Sequence, residues 1–145
     1  MSIRQISVFL ENSPGKLAAF TRILGDNSVD MQALTIADTT SFGILRCLAV
    51  DSDAALGVIT KAGYAARLTE VIACVVPDRP GGLANVLTIL ADANISVEYC
   101  YSFAHGEKGA ALALRVDDLA KAESVLTGAH ITMLEQADLI GFKAE

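Results

Sequence analysis

The chain has 145 residues, a formal net charge of −6 at neutral pH, 52% hydrophobic and 19% charged residues. That much apolar material can build a core, which excludes a disordered chain, and no apolar run is long enough to span a bilayer. Its basic residues Lys16, Arg22, Arg46, Lys61, Arg79, Lys108 and Lys121 stand singly, so the concentrated positive charge that nucleic acid requires is missing and no nucleic-acid partner is expected.

The first residues, Met1-Ser2-Ile3-Arg4-Gln5, lack the regions of a signal peptide, and a cytoplasmic protein is expected. Arg4–Leu10 is β-rich and reads as a strand. Asn12 or Ser13 can cap a helix, and Pro14 suits its first turn, where a missing N–H costs nothing. Leu17, Phe20, Ile23 and Leu24 then fall on one helical face, with Gly25 and Asn27 as terminators. A second strand is expected from about Asp30 to Ala37, a turn over Thr39–Phe42 and a third strand over Gly43–Val50. Asp51 or Ser52 caps a short helix with Leu56 and Ile59 inward. Gly63 ends it, and Tyr64–Thr69 reads as a fourth strand.

The signals then repeat. Val71–Val76 is a strand, Leu83, Val86, Ile89 and Leu90 form a helical stripe, and Asn94 ends that helix. Ser96–Phe103 and Gly109–Val116 read as strands around the turn Ala104–Lys108. Leu119, Ala122, Val125 and Leu126 mark a short helix, and Ile131–Leu134 a last strand. The residues themselves repeat at an offset of 66: Asn12-Ser13-Pro14-Gly15-Lys16-Leu17-Ala18 meets Asp78-Arg79-Pro80-Gly81-Gly82-Leu83-Ala84, and Ile23-Leu24 meets Ile89-Leu90. Gly43 meets Gly109, Val50-Asp51 meets Val116-Asp117, and Leu68 meets Leu134, with no gap. Such a repeat marks two copies of one supersecondary unit. The expected fold is α+β: two βαββαβ units in tandem, residues 1–69 and 70–135, each an antiparallel sheet with both helices on one face. Residues 136–145 form a remainder. Gln136–Phe142 aligns with Glu70–Val76, so an extra C-terminal strand is expected there, completing the sheet of the first unit or pairing with a partner subunit.

A βαββαβ unit with Asn/Asp-x-Pro-Gly-x-Leu-Ala between its first strand and first helix resembles the ACT domain, twice over nearly the whole chain. Gly63-Tyr64 before the fourth strand fits the same family. The chain is similar to proteins made almost entirely of two ACT domains and to the paired regulatory ACT domains of aspartokinases. The resemblance implies a ferredoxin-like fold and a free amino acid bound between two domains, and the exposed edge strands of such sheets invite pairing, so a homodimer is expected. It places ligand contacts at Asn12, Ser13, Pro14, Gly15, Lys16 and Leu17 of the first loop and at Asp78, Arg79, Pro80, Gly81, Gly82 and Leu83 of the second. On the second strand of each neighbour it implies Asp30 and Met31, then Ser96 and Val97. The loop suits a carboxylate physically: a helix N-terminus presents unpaired N–H groups and partial positive charge, and glycine admits close approach. The chain departs from the family pattern at Leu10 and Val76, where some members carry His, and at Asp30 and Ser96, where Asn is frequent.

No other constellation of residues points to chemistry. His105, in the Ala104–Lys108 turn, lacks an evident catalytic partner, His130 has no metal-ligand spacing, and Gly81-Gly82 lacks the pattern of a phosphate loop. Cys47, Cys74 and Cys100 sit in apolar, strand-like stretches and are expected to be buried, reduced thiols. Tyr99 and Tyr101 share one face of a strand and suit packing as well as a pocket. The expectation is a regulatory protein without a cofactor, metal or catalytic residues, acting on a partner enzyme of amino-acid metabolism. The competing reading is a ligand-free oligomerisation module.

Overall fold

Ile6, Val8 and Leu10 alternate with Ser7, Phe9 and Glu11, a period of two that suits a sheet with one covered face, and the chain there forms β1, Ile3–Glu11. The structure is a computed structural model that describes residues 2–37 and 42–141. The chain divides into two units, Arg4–Thr69 and Glu70–Glu145 with Met1–Ile3. In chain order after β1 come α1 (Lys16–Asp26), β2 (Met31–Ala37), β3 (Phe42–Ala49), α2 (Ser52–Lys61) and β4 (Ala66–Val76). Then follow α3 (Gly82–Asp92), β5 (Val97–Gly106), β6 (Gly109–Val116), α4 (Leu119–Gly128), β7 (Thr132–Leu134) and a 3-10 helix, Gln136–Gly141. The two strands expected over Tyr64–Thr69 and Val71–Val76 are one, β4: its opening residues close the first βαββαβ set and its later residues begin the second.

Strand order is β2-β3-β1-β4 in the first unit and β5-β6-β4-β7 in the second, the ferredoxin-like α+β arrangement. The pairings of β3 with β1 and β2, of β4 with β6 and β7, and of β5 with β6 are antiparallel. On the helix side of the first sheet, Ile6, Val8, Leu10, Leu45 and Cys47 pack with Phe20 and Leu24 of α1 and with Ala55 and Ile59 of α2. In the second, Ile72, Cys74, Val76, Leu112 and Leu114 pack with Val86 and Leu90 of α3 and with Ala122 and Leu126 of α4. The Phe20 ring stands edge-on to Tyr64 at 5.2 Å, a geometry that aromatic quadrupoles favour.

The two copies are not related by one gapless offset. Through the first helix and second strand the offset is 66: α1 and α3 begin at residues 16 and 82, and Ser28 and Asn94 both take positive φ, 56° and 57°. From the third strand onward it is 67. Ile6 pairs with Cys47, but Ile72 pairs with Leu114. The caps of α2 and α4 are Asp51 and Asp118, accepting from Ala54 N and Lys121 N, both at 3.0 Å. Gly63 and His130 are both left-handed, φ 95° and 62°. The extra residue is absorbed in β5, whose register on β6 shifts between Ser102 and Ala104 where β2 continues regularly on β3. A bulge of this kind takes up one residue without turning the rest of the strand over. The matches of Gly43 with Gly109, Val50-Asp51 with Val116-Asp117 and Leu68 with Leu134 are therefore not structural equivalences.

Two further expectations change, and a third falls mostly outside the described residues. The strand expected over Gln136–Phe142 is a 3-10 helix as far as Gly141, in the second unit; Phe142 lies outside the described residues. Asp138 makes the turn: its carboxylate accepts from Glu135 N at 2.7 Å and its own N–H donates to Glu135 O at 3.0 Å, a local bonding pattern that competes with extended structure. Leu139 is buried while Ile140 is exposed. The turn expected over Thr39–Phe42 lies outside the described residues except for Phe42, which opens β3. Cys47 and Cys74 are buried, but Cys100, on edge strand β5, is exposed.

Two outcomes follow from the thiols. A thiol reagent applied to the native protein should modify Cys100 alone, with Cys47 and Cys74 reacting only in denaturant, as intact-mass spectrometry would read directly. Burial also pushes the Cys47 and Cys74 thiols up from 9.0 to about 12, with a smaller push on Cys74 from Cys100. An unfolded chain releases those two protons above pH 9 while the folded chain keeps them. The stability they support is full below pH 9 and is lost as pH rises toward 12. Urea unfolding at pH 8 and pH 10 should differ by about 3 kcal/mol from the two thiols together.

Candidate functional site

Each unit's first helix is approached through a turn that only its Pro-Gly pair explains. Lys16 N donates to Ser13 O at 3.2 Å, with Pro14 and Gly15 between them, and Gly15 sits at φ 85°, ψ −13°. Proline cannot supply positive φ at the first central position, so this is a type II turn, which needs a left-handed residue at the second. The copy is faithful: Gly82 N donates to Arg79 O at 3.1 Å, and Gly81 sits at φ 90°, ψ −10°. Asn12 and Ser13 do not cap the helix as expected. Gly15 and Gly81 occupy the N-cap positions, and no side chain caps either helix. Pro14 consequently lies in the turn rather than in the helix.

The absent cap leaves donors open. Ala19 N reaches Gly15 O at 2.9 Å and Asn85 N reaches Gly81 O at 3.0 Å. Among the described residues, the N–H groups of Leu17, Ala18, Leu83 and Ala84 have no partner. Leu17 and Leu83, expected to face the core, are instead 39% and 41% exposed. Each loop thus offers two free N–H groups beside an exposed leucine, chemistry that suits a carboxylate with an apolar flank. Asn12, Ser13, Pro14, Gly15 and Lys16 are all exposed, as are Asp78, Arg79, Pro80 and Gly81. Gly82 alone is buried, because an added Cβ would lie 2.3 Å from Pro77 O. Lys16 occupies that position in the first unit.

The other four residues expected at the site stand elsewhere. Asp30 is exposed and accepts from Gln32 Nε2 at 2.8 Å, and Met31 is half-buried at the start of β2. Ser96 is exposed, but its N–H donates to Asp117 Oδ1 and its carbonyl accepts from Asp117 N; Val97 is half-buried. Leu10 pairs with Gly43 at one end of the first sheet and Met31 with Ala49 at the other; Val76 with Ala110 and Val97 with Val116 repeat this. Six residues of strand separate the two ends, roughly 20 Å. Neither unit brings its own loop to its own second-strand start.

The sequence reading missed a second feature. In the second unit a groove of about 770 Å³ opens beside the turn, lined by Asp78, Arg79, Asn85 of α3, Glu107 and Lys108 of the β5–β6 turn, and His130. His105 Nδ1 lies 3.4 Å from Oδ2 of Asp78, one of the lining residues, with both side chains exposed. His105 therefore has a carboxylate neighbour after all, one that solvent makes weak. Among the described residues no group of three or more His, Cys, Asp or Glu could hold a metal ion, and no helix is long and apolar enough to cross a membrane.

Two βαββαβ units with a repeated type II turn ahead of the first helix define a tandem ferredoxin-like protein. Residues 1–142 match the family model described as the ACT domain pair, and the chain belongs to that family. Among solved structures it is similar to protein BT0572 from Bacteroides thetaiotaomicron, at 34% identity over 96% of each chain with a TM-score of 0.90. Its fold is also that of the regulatory subunits of aspartate kinase from Thermus thermophilus and Thermus flavus. These are each 14% identical, with TM-scores of 0.64 and 0.60, over 89% and 88% of this chain and 92% of theirs. No curated protein matches the chain by sequence.

The adjacent glycines should separate by mechanism. Gly81→Ala meets nothing within 4 Å and carries only the left-handed backbone cost, about 1–2 kcal/mol. Gly82→Ala must displace the Pro77 backbone and should cost more than about 3 kcal/mol, as paired urea titrations would show.

Proposed function

We propose that the chain is a regulatory ACT pair that binds a free amino acid, or a similar small carboxylate, between ACT units. Through that binding it controls a partner enzyme of amino-acid metabolism. The observation that carries this is the repeated loop: two uncapped helix starts, each with two unpartnered N–H groups and an exposed leucine, at Leu17 and Leu83. In α2 and α4 a capping aspartate, Asp51 or Asp118, satisfies such a donor and contributes about 1 kcal/mol; the type II turn leaves the donors of α1 and α3 open to a ligand. The family adds support, since the Thermus relatives of the same fold are regulatory subunits.

The strand-two residues Asp30, Met31, Ser96 and Val97 would complete the site from a neighbouring ACT unit, because their own loop lies at the far end of the sheet. Edge strands favour the homodimer this implies. β2 carries no charged residue, proline or glycine, and its Leu34 and Ile36 are 39% and 40% exposed, an edge open to pairing. A cytoplasmic location and the absence of catalysis belong to the same reading. Binding would act by favouring one arrangement of units over another.

Thermal shift and calorimetry with the twenty amino acids test the proposal. A ligand at a hundred times its dissociation constant should stabilise the protein by about 2.7 kcal/mol. Size-exclusion chromatography with that ligand should then show a changed elution. Folded protein that responds to none of the twenty, as an invariant dimer, would instead be the oligomerisation module.

A further inference from the structure

The groove of about 770 Å³ in the second unit has a lining that neither the fold nor the loop requires. We propose that this groove is itself a binding site for a zwitterionic amino acid, held within the second unit alone. The inference rests on the reading that the chain binds an amino acid and moves the ligand away from the strand-two residues. Three separate segments supply the lining: Asp78 and Arg79 before α3 with Asn85 on its first turns, Glu107 and Lys108 at the β5–β6 turn, and His130 ahead of β7.

Charge selects the ligand class. Arg79 and Lys108 stand against Asp78 and Glu107, so the lining is neutral overall with His130 uncharged. An inorganic anion would meet two carboxylates there, and a simple cation two basic groups. A zwitterion meets both signs with partners: its carboxylate takes N–H donors from Arg79 and Lys108, and its ammonium group donates to Asp78 and Glu107. Ionised pairs of this kind give the stronger hydrogen bonds. Asn85 and His130 remain for the ligand's side chain, each able to donate and to accept.

The first unit provides the internal control. At its structural counterparts, offset 66 as far as the second strand and 67 beyond the third, Asn12 stands for Asp78, Ser13 for Arg79, Ala19 for Asn85 and Gly63 for His130. None of those four carries a charge, although the type II turn and the aspartate caps of the short helices are repeated in both units. His130 is the most telling. It holds φ 62°, as Ser28 and Asn94 hold 56° and 57° at the ends of α1 and α3, and it brings an imidazole to the groove where Gly63 brings no side chain.

The test transplants the first unit's residues. Isotopically labelled full-length protein is titrated with each of the twenty amino acids, and amide shifts are followed. For the amino acid that binds, shifts should centre on Asn85, Lys108 and His130. The triple variant Arg79→Ser, Asn85→Ala, His130→Gly, whose new side chains already serve a folded unit, should bind about 10- to 100-fold more weakly. Shifts confined to Leu17, Leu83, Asp30, Met31, Ser96 and Val97, with unchanged affinity of the variant, would overturn this site and leave the ACT–ACT reading standing. No shift with any of the twenty would overturn both.

Discussion

The junction between each unit's first strand and first helix turns on a backbone conformation that only glycine takes cheaply. With Gly15 and Gly81 at φ 85° and 90°, the chain reverses in four residues and the helix starts beside the end of its strand. That placement lets Phe20 and Leu24, or Val86 and Leu90, reach the sheet. The same conformation removes the side-chain cap, because the N-cap residue has no side chain. A single steric requirement thus sets the helix on its core and leaves free N–H groups facing water. The candidate site is a by-product of how the fold makes its first corner.

Much of this was legible. The Pro-Gly repeat, the helical stripes and the aspartates ahead of the short helices mark the elements because each signal is local: a turn residue, a period, a cap. What was not legible depends on accounting across the sheet. Gly43 and Gly109 match in sequence but are not equivalent, since a bulge at Ser102–Ala104 shifts every later residue by one. Only the pairing of Ile6 with Cys47 and of Ile72 with Leu114 exposes the shift. The segment from Gln136 failed in another way. Its apolar residues resemble those of β4, but Asp138 satisfies the backbone locally, and a pattern of hydrophobicity cannot register that bond. Cys100 lies in an apolar stretch like its fellows, yet an edge strand leaves it exposed.

The site divides along the same line. Its loop residues are contiguous, so a motif finds them. The groove draws Asp78, Asn85, Lys108 and His130 from segments as many as 52 residues apart in sequence. No spacing rule joins them. One hint was present, a histidine where the other copy has the glycine that ends its helix, but reading it needs the offset of 67 that the bulge creates.

Duplication explains why the copies can differ so far. Once two units share a fold, the core and the turn must be kept in both, and Phe20/Val86 and Leu24/Leu90 show that they are. The rim is under no such constraint. The second unit has placed Gly82 against the Pro77 carbonyl, where Lys16 stands in the first. It has lengthened its second strand, β5, by a bulge, and bulges re-aim the side chains that follow them. Both changes lie beside the groove: one at the start of the helix that carries Asn85, the other ahead of the turn that carries Glu107 and Lys108. A left-handed histidine at residue 130 closes the third side. Changes of backbone and of charge therefore converge on one rim, while the first unit keeps the plainer version of the same corner.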